Sequence, residues 1–150
     1  MITEINTILA PECAIHSASI TSKKKVLEYL GRLVADHIPE SSADDIYERL
    51  LSRERIGSTG IGEGIAIPHC RLKQCNKTFA VLLQLENTID YDSIDNQPVD
   101  LIFALLVPEE ATDEHLQILS MLAAKLNQPE YRESLRSAPD SQSLYQRAID

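Results

Sequence analysis

The sequence predicts a single α/β domain, residues 1–150, built on a mixed sheet of about five strands with helices on both faces. Three observations carry that prediction. Two long apolar runs, Phe79 to Leu85 and Val99 to Val107, have the pattern of strands covered on both sides. Helical periodicity lies on either side of them, before Gly57 and again after Pro108. The 150 residues suit one domain, and a chain of that size buries roughly 70% of its unfolded surface without help from a disulfide or a metal.

The elements follow in order. A first strand over Cys13 to Ser17 has the faintest pattern of the set. Ser22 caps a helix over 23–37, in which Val26, Leu30, Leu33, Val34 and His37 fall on one face. Pro39 ends it. Ser41 or Ser42 opens a second helix, with Asp44 and Asp45 in the first turn, where negative charge suits the macrodipole. Ile46, Leu50 and Leu51 form its apolar stripe, and it stops near Arg53 or Glu54. Ile65-Ala66-Ile67 is a short strand closed by Pro68, which has no N–H for a ladder. Asp95-Asn96-Gln97-Pro98 is the turn before the last strand. Thr112 caps a helix with Leu116, Leu119, Leu122, Ala123 and Leu126 at helical spacing. Pro129 opens a short helix through Leu135, and Asp140 or Ser141 caps a last one carrying Leu144, Tyr145 and Ala148.

Net charge is −9, and Lys23-Lys24-Lys25 is the one basic cluster. Nucleic acid and anionic membranes are therefore poor partners, and a basic protein is a better one. The N-terminus shows no basic region followed by a long apolar segment, and Leu101 to Val107 is far below the ~20 residues of a membrane span. A cytoplasmic protein with no membrane insertion is expected. Cys13, Cys70 and Cys75 form no regular framework, so reduced thiols are expected. His69, Cys70 and Cys75 match no standard zinc spacing, and neither metal nor cofactor is expected.

Chemistry concentrates in "GIGEGIAIPHCR", residues 60–71. His69 follows the strand-ending Pro68, and strand ends are where α/β folds place chemistry. Gly60, Gly62 and Gly64 lack Cβ atoms, so their backbone N–H groups can come close to a bound anion. The same glycines also suit a turn and a tight packing contact, and both readings stay open here. No Walker A lysine follows them, and they precede the strand instead of following it, which excludes a dinucleotide fingerprint. Arg53 and Arg55 flank Glu54 at a helix end: a solvated cluster, or a guanidinium clamp beside an anion. His115 opens the inner face of the helix that Thr112 caps. His37, at a helix C-terminus, has a complete structural explanation, and His16 is a lone histidine in the faint first strand.

Two segments carry a family resemblance. "RERIGSTGIGEGIAIPH", residues 53–69, and "EHLQILSMLAAKL", residues 114–126, resemble the two histidine blocks of the fructose/mannitol class of IIA phosphocarriers of the bacterial phosphotransferase system. "DNQPVDLIFALLVP", residues 95–108, together with "GSTGIG", is most similar to the nitrogen-regulatory branch. The resemblance spans essentially the whole chain. It implies that His69 accepts a phosphoryl group, that His115 is the second active-site histidine and that Arg53 stabilises the phosphoryl. It implies an HPr-type phosphohistidine protein as donor, and regulatory targets such as a potassium transporter or a sensor kinase, so that the component is regulatory instead of metabolic. Two departures stand out: Cys70 replaces the family's usual glycine, and Gln117 stands where some members carry a further histidine.

The chemistry implied is exchange of one nitrogen–phosphorus bond for another, near balance and dependent on positioning. Arg53 and the glycine-segment N–H groups would hold the equatorial oxygens. His115 would be neutral at rest. The helix dipole opposes its cation by about 0.3–1 kcal/mol, whereas a phosphoryl anion about 4 Å away favours it by roughly 4 kcal/mol. Three alternatives stand beside this reading. One is a sugar-transport IIA passing phosphate to a IIB cysteine. Another is a binding module that is never phosphorylated, with His69 as a packing residue. The last is a hydrolase pairing Cys70 with His69, which the divergence of adjacent strand residues opposes.

Overall fold

The computed structural model describes residues 4–110 and 113–150, apart from the side chains of Glu114 and His115. A short helical turn at Ile5–Thr7 leads into β1 (Leu9–Ala18), longer than the Cys13–Ser17 pattern suggested. Helices α1 (Lys23–His37) and α2 (Ala43–Ile56) follow, then three short strands: β2 (Gly60–Gly62), β3 (Ile65–Ala66) and β4 (His69–Leu72). Strands β5 (Phe79–Ile89) and β6 (Val99–Pro108) come next, and the chain ends in α3 (Asp113–Leu126), α4 (Pro129–Arg136) and α5 (Ser141–Ile149).

Among the described residues the strands form one six-stranded mixed sheet in the order β1-β5-β6-β3-β2, with β4 also on β6. β1 runs parallel to β5, β5 antiparallel to β6, and β3 and β4 both parallel to β6. Ala80 to Leu85 and Leu101 to Val107 are buried without a break. Successive side chains of a strand face opposite ways, so both faces of the sheet centre are covered. β5 outruns its apolar stretch: Glu86, Asn87 and Thr88 are exposed, and the ladder jumps from Gln84↔Leu101 to Ile89↔Val99. Such a bulge has no apolar alternation to announce it.

Gln84, the polar interruption in β5, ties the sheet to the C-terminal helices. Its Nε2 donates to the carbonyls of Leu135 and Arg136, each at 2.9 Å, at the C-terminal end of α4. Its Oε1 accepts from His16 Nδ1–H and from the Ser17 amide. His37, in the last turn of α1, donates from Nδ1 to the Leu33 carbonyl at 2.9 Å. Both histidines are thus held by structural contacts.

Three helix caps match expectation. Ser22 accepts from the Lys25 amide, Ser42 from the Asp45 amide and Asp140 from the Ser143 amide, each satisfying an orphan N–H. Thr112, the expected cap of α3, lies outside the described residues. Gly31 brings α1 and α2 together: a Cβ there would stand 2.7 Å from the Ala43 carbonyl oxygen.

The segment from 57 to 72 differs most from expectation. Gly60–Gly62 is a strand, antiparallel to β3, and the turn falls at Glu63 and Gly64. His69 opens β4 instead of closing a strand. Pro68 interrupts the edge because it has no N–H, yet its carbonyl accepts from the Leu105 amide at 2.9 Å. The chain therefore stays on β6 and resumes pairing at His69↔Leu105.

Candidate functional site

α2 and β4 together make the candidate site. Arg53 lies in the last turn of α2 and His69 at the first position of β4, and the two elements pack against each other. His69 is half-buried. Its Nδ1 lies 2.8 Å from the Ile67 carbonyl oxygen, an acceptor alone, so Nδ1 carries the proton. Nε2 is then the lone-pair nitrogen, and it accepts from Arg53 Nε–H at 3.3 Å. The same guanidinium donates from Nη1 to the Gly57 carbonyl at 2.9 Å. Backbone geometry thus selects the tautomer, and a rigid cation stands at the nitrogen able to act as nucleophile.

Both side chains line an open cleft of about 550 Å³, together with Asp45, Glu48, Arg49, Ser52, Ile56, Cys70, Arg71 and Val107. Its lining holds three guanidiniums against two carboxylates, on a chain of net charge −9. One carboxylate is engaged: Asp45 accepts from Arg49 Nε at 3.0 Å. An anion entering the cleft meets a locally positive field. Ile56 stands 83% exposed at its rim.

Gly60, Gly62 and Gly64 are absent from this lining. The Gly60 amide donates to Ser58 Oγ at 3.1 Å, and a Cβ on Gly60 would lie 2.3 Å from Ser93 Oγ. Gly64, at φ +79°, forms the β2–β3 turn, and its missing Cβ makes room for the Arg136 guanidinium, which grips Asp100 through Nε and Nη2. The turn-and-packing role left open by the sequence therefore has direct contacts. His115 belongs to the first turn of α3 by backbone, and its side chain lies outside the described residues.

Burial pushes the Cys70 thiol up to about 12, only partly offset by Arg49. Burial thus disfavours the thiolate that a Cys70–His69 hydrolase would need.

A family model described as the phosphoenolpyruvate-dependent sugar phosphotransferase system, EIIA 2, matches residues 7–149. The chain belongs to this family. Among EIIA 2 relatives, a nitrogen regulatory protein of Pseudomonas aeruginosa is 47% identical, covering 97% of this chain and 95% of its own. Nitrogen regulatory protein IIA-Ntr from Neisseria meningitidis superposes with a TM-score of 0.89 at 39% identity over 97% of each chain. The mannitol enzyme IIA of Escherichia coli, solved in complex with phosphorylated enzyme IIB, reaches a TM-score of 0.71 at 17% identity, covering 94% of this chain and 98% of that one. The last likeness speaks to the fold alone. The EIIA 2 assignment accounts for the mixed sheet, and among the described residues no helix is long and apolar enough to cross a membrane.

Sequence reasoning missed part of this candidate site. Glu54 was read with its neighbours as a solvated helix end, yet it is buried. Ile46, Leu50 and Glu54 recur at intervals of four, so the stripe itself placed Glu54 on the inner face. Arg49 and Arg71 carried no comparable signal: they reach the cleft only because α2 lies on β4.

Proposed function

We propose that this protein is a regulatory phosphocarrier in which His69 Nε2 accepts a phosphoryl group from a phosphohistidine of an HPr-type protein. The observation that carries the reading is the pairing of a defined lone-pair nitrogen with a guanidinium in an open cleft: Nδ1 bonds Ile67 at 2.8 Å, and Arg53 Nε stands 3.3 Å from Nε2. His69 Nε2 attacks phosphorus in line as the donor's imidazole nitrogen departs. One nitrogen–phosphorus bond forms and one breaks, and the Nδ1 proton stays in place throughout. The product keeps its hydrogen bond to Ile67, so the ring does not turn.

Arg53 Nε–H loses the lone pair it faced and turns to a phosphoryl oxygen, while Nη1 stays anchored on Gly57. The loose transition state spreads charge over the equatorial oxygens, which the guanidinium can meet without reorganising. His115 is proposed as the second histidine, reaching the phosphoryl from the first turn of α3. Gly60, Gly62 and Gly64 enter the proposal as the backbone that seats the Ile65–His69 segment, with any amide contact to the phosphoryl coming from this stretch. The scheme draws on no metal or cofactor.

The signalling role rests on the nitrogen regulatory relatives, together with the charge that phosphorylation adds. A phosphoryl on His69 makes the rim around exposed Ile56 more anionic, and apolar docking there weakens. Regulatory targets such as a potassium transporter or a sensor kinase belong to this proposal.

The test is direct. The protein is incubated with phosphoenolpyruvate, the general phosphotransferase enzyme and an HPr-type carrier, and its intact mass is recorded. A gain of one acid-labile phosphoryl group, lost in His69→Ala, supports the reading. No gain in the wild-type chain removes it and leaves the unphosphorylated binding module. Onward transfer to a IIB cysteine would move the protein to the sugar-transport branch.

A further inference from the structure

Next to Arg53 lies a buried carboxylate that the transfer chemistry does not use. Glu54 Oε1 accepts from the Thr59 amide at 3.0 Å and pairs with Lys23 Nζ at 3.0 Å. Its Oε2 accepts from Thr59 Oγ1–H and, at 3.3 Å, from Tyr91 O–H. Burial raises the Tyr91 phenol well above its ordinary range, so it remains a donor. The Lys23 ammonium also lies 4.5 Å over the Tyr91 ring. A buried carboxylate demands such compensation. What matters is where these bonds lead.

They converge on Thr59, held by Glu54 through both its amide and its hydroxyl. The Thr59 carbonyl accepts from the Ile67 amide at 3.0 Å. The Ile67 carbonyl accepts from His69 Nδ1–H at 2.8 Å, the bond that sets the tautomer. On the other branch, the Glu54 carbonyl accepts from the Gly57 amide at 3.2 Å, and the Gly57 carbonyl receives Arg53 Nη1 at 2.9 Å. One residue thus stands behind both members of the site, by two short hydrogen-bonded chains.

Resting on the phosphocarrier reading, we infer that Glu54 is a positioning residue for phosphoryl transfer: its carboxylate acts through Thr59 to fix the His69 tautomer, while its main-chain carbonyl holds the Gly57 that anchors Arg53. Glu54 touches neither phosphoryl nor donor. Its bonds restrain the 57–59 turn, so that the Ile67 carbonyl and the Gly57 carbonyl face the two side chains they orient.

The experiment uses the full-length chain. Glu54→Gln removes the negative charge that holds the Thr59 amide and hydroxyl, leaving neutral amide contacts in its place. Thr59→Val removes one leg while keeping the shape, and Thr59→Ser restores it. Three quantities are read: the single-turnover rate of phosphorylation by a phosphorylated HPr-type carrier, the affinity for that carrier, and the His69 tautomer from ring ¹⁵N shifts. A lost hydrogen bond to a charged acceptor corresponds to about a tenfold or greater effect. Glu54→Gln is expected to slow transfer about tenfold or more and to mix the tautomers, with carrier affinity unchanged. Thr59→Val is expected to lose about three- to tenfold in rate, with Thr59→Ser near wild type, and this pair decides the matter if Glu54→Gln does not fold. Folded variants with wild-type rate and tautomer overturn the inference, as does slowing confined to carrier affinity or accompanied by an unchanged tautomer. The tautomer arm needs no phosphorylation. A wild-type chain that takes up no phosphoryl therefore defeats the phosphocarrier reading alone, and the spectrum still decides the role of Glu54.

Discussion

Arg53→Lys separates charge from geometry at the site. In the native side chain one nitrogen is anchored, Nη1 on the Gly57 carbonyl at 2.9 Å, while another, Nε, addresses His69 Nε2 at 3.3 Å. Both donors belong to one rigid plane, so anchoring the first aims the second. Lysine keeps the positive charge and has a single nitrogen. Bound to Gly57, it does not reach the phosphoryl; reaching the phosphoryl, it is unanchored. The loss is one charge-assisted hydrogen bond, about 1.5–3 kcal/mol. At about 1.4 kcal/mol per decade, that is roughly a 10- to 150-fold slower transfer. The assay is rapid-quench single turnover from a phosphorylated HPr-type donor, with circular dichroism to confirm the fold. A folded Arg53→Lys protein within threefold of the wild-type rate would refute the reasoning, because charge alone would then suffice.

Other outcomes follow from the same geometry. Gly64→Ala places a Cβ 2.4 Å from Arg136 Nη2 and 3.0 Å from Asp100 Oδ1 at φ +79°; the variant loses about 1–3 kcal/mol, a fall in Tm of about 3–10 °C in a thermal melt. The Cys70 thiol, raised from 9.0 to about 12 by burial, resists iodoacetamide at pH 8 in the folded chain and reacts once denatured. Its folded value exceeds its unfolded one, so the contribution to stability is complete below pH 9 and declines as pH rises toward 12. Asp140, lowered mainly by the Ser143 amide, contributes in the opposite sense: its cap is intact above about pH 4 and weakens as pH falls through its folded value, which carboxyl NMR titration follows. Phosphorylation of His69 shifts the ring resonances of His115, and an unchanged His115 spectrum removes that residue from the proposed site.

The fold was legible wherever one local rule was sufficient. The runs in β5 and β6 announced covered strands, and Ser22, Ser42 and Asp140 announced caps, because burial and orphan amides leave their mark within a few residues. Segments satisfied by distant partners were harder to read. β2 is held by β3 and by the Gly60 carbonyl's bond to the Ile94 amide, and β4 by β6; neither strand is long enough for alternation to show.

The sequence by itself determined that this was an α/β chain and that His69 stood at a break in a strand, and its family resemblance pointed to Arg53 and His115 as companions of His69. Tertiary structure alone decided which nitrogen of His69 faces Arg53, which partners hold the inward Glu54, and that Gly60 and Gly64 make room for Ser93 and Arg136. Composition and spacing constrain a residue's neighbours along the chain. Proton position and side-chain aim depend on acceptors such as the Ile67 and Gly57 carbonyls, whose directions exist only once α2 and the β2–β4 segment have packed onto the sheet.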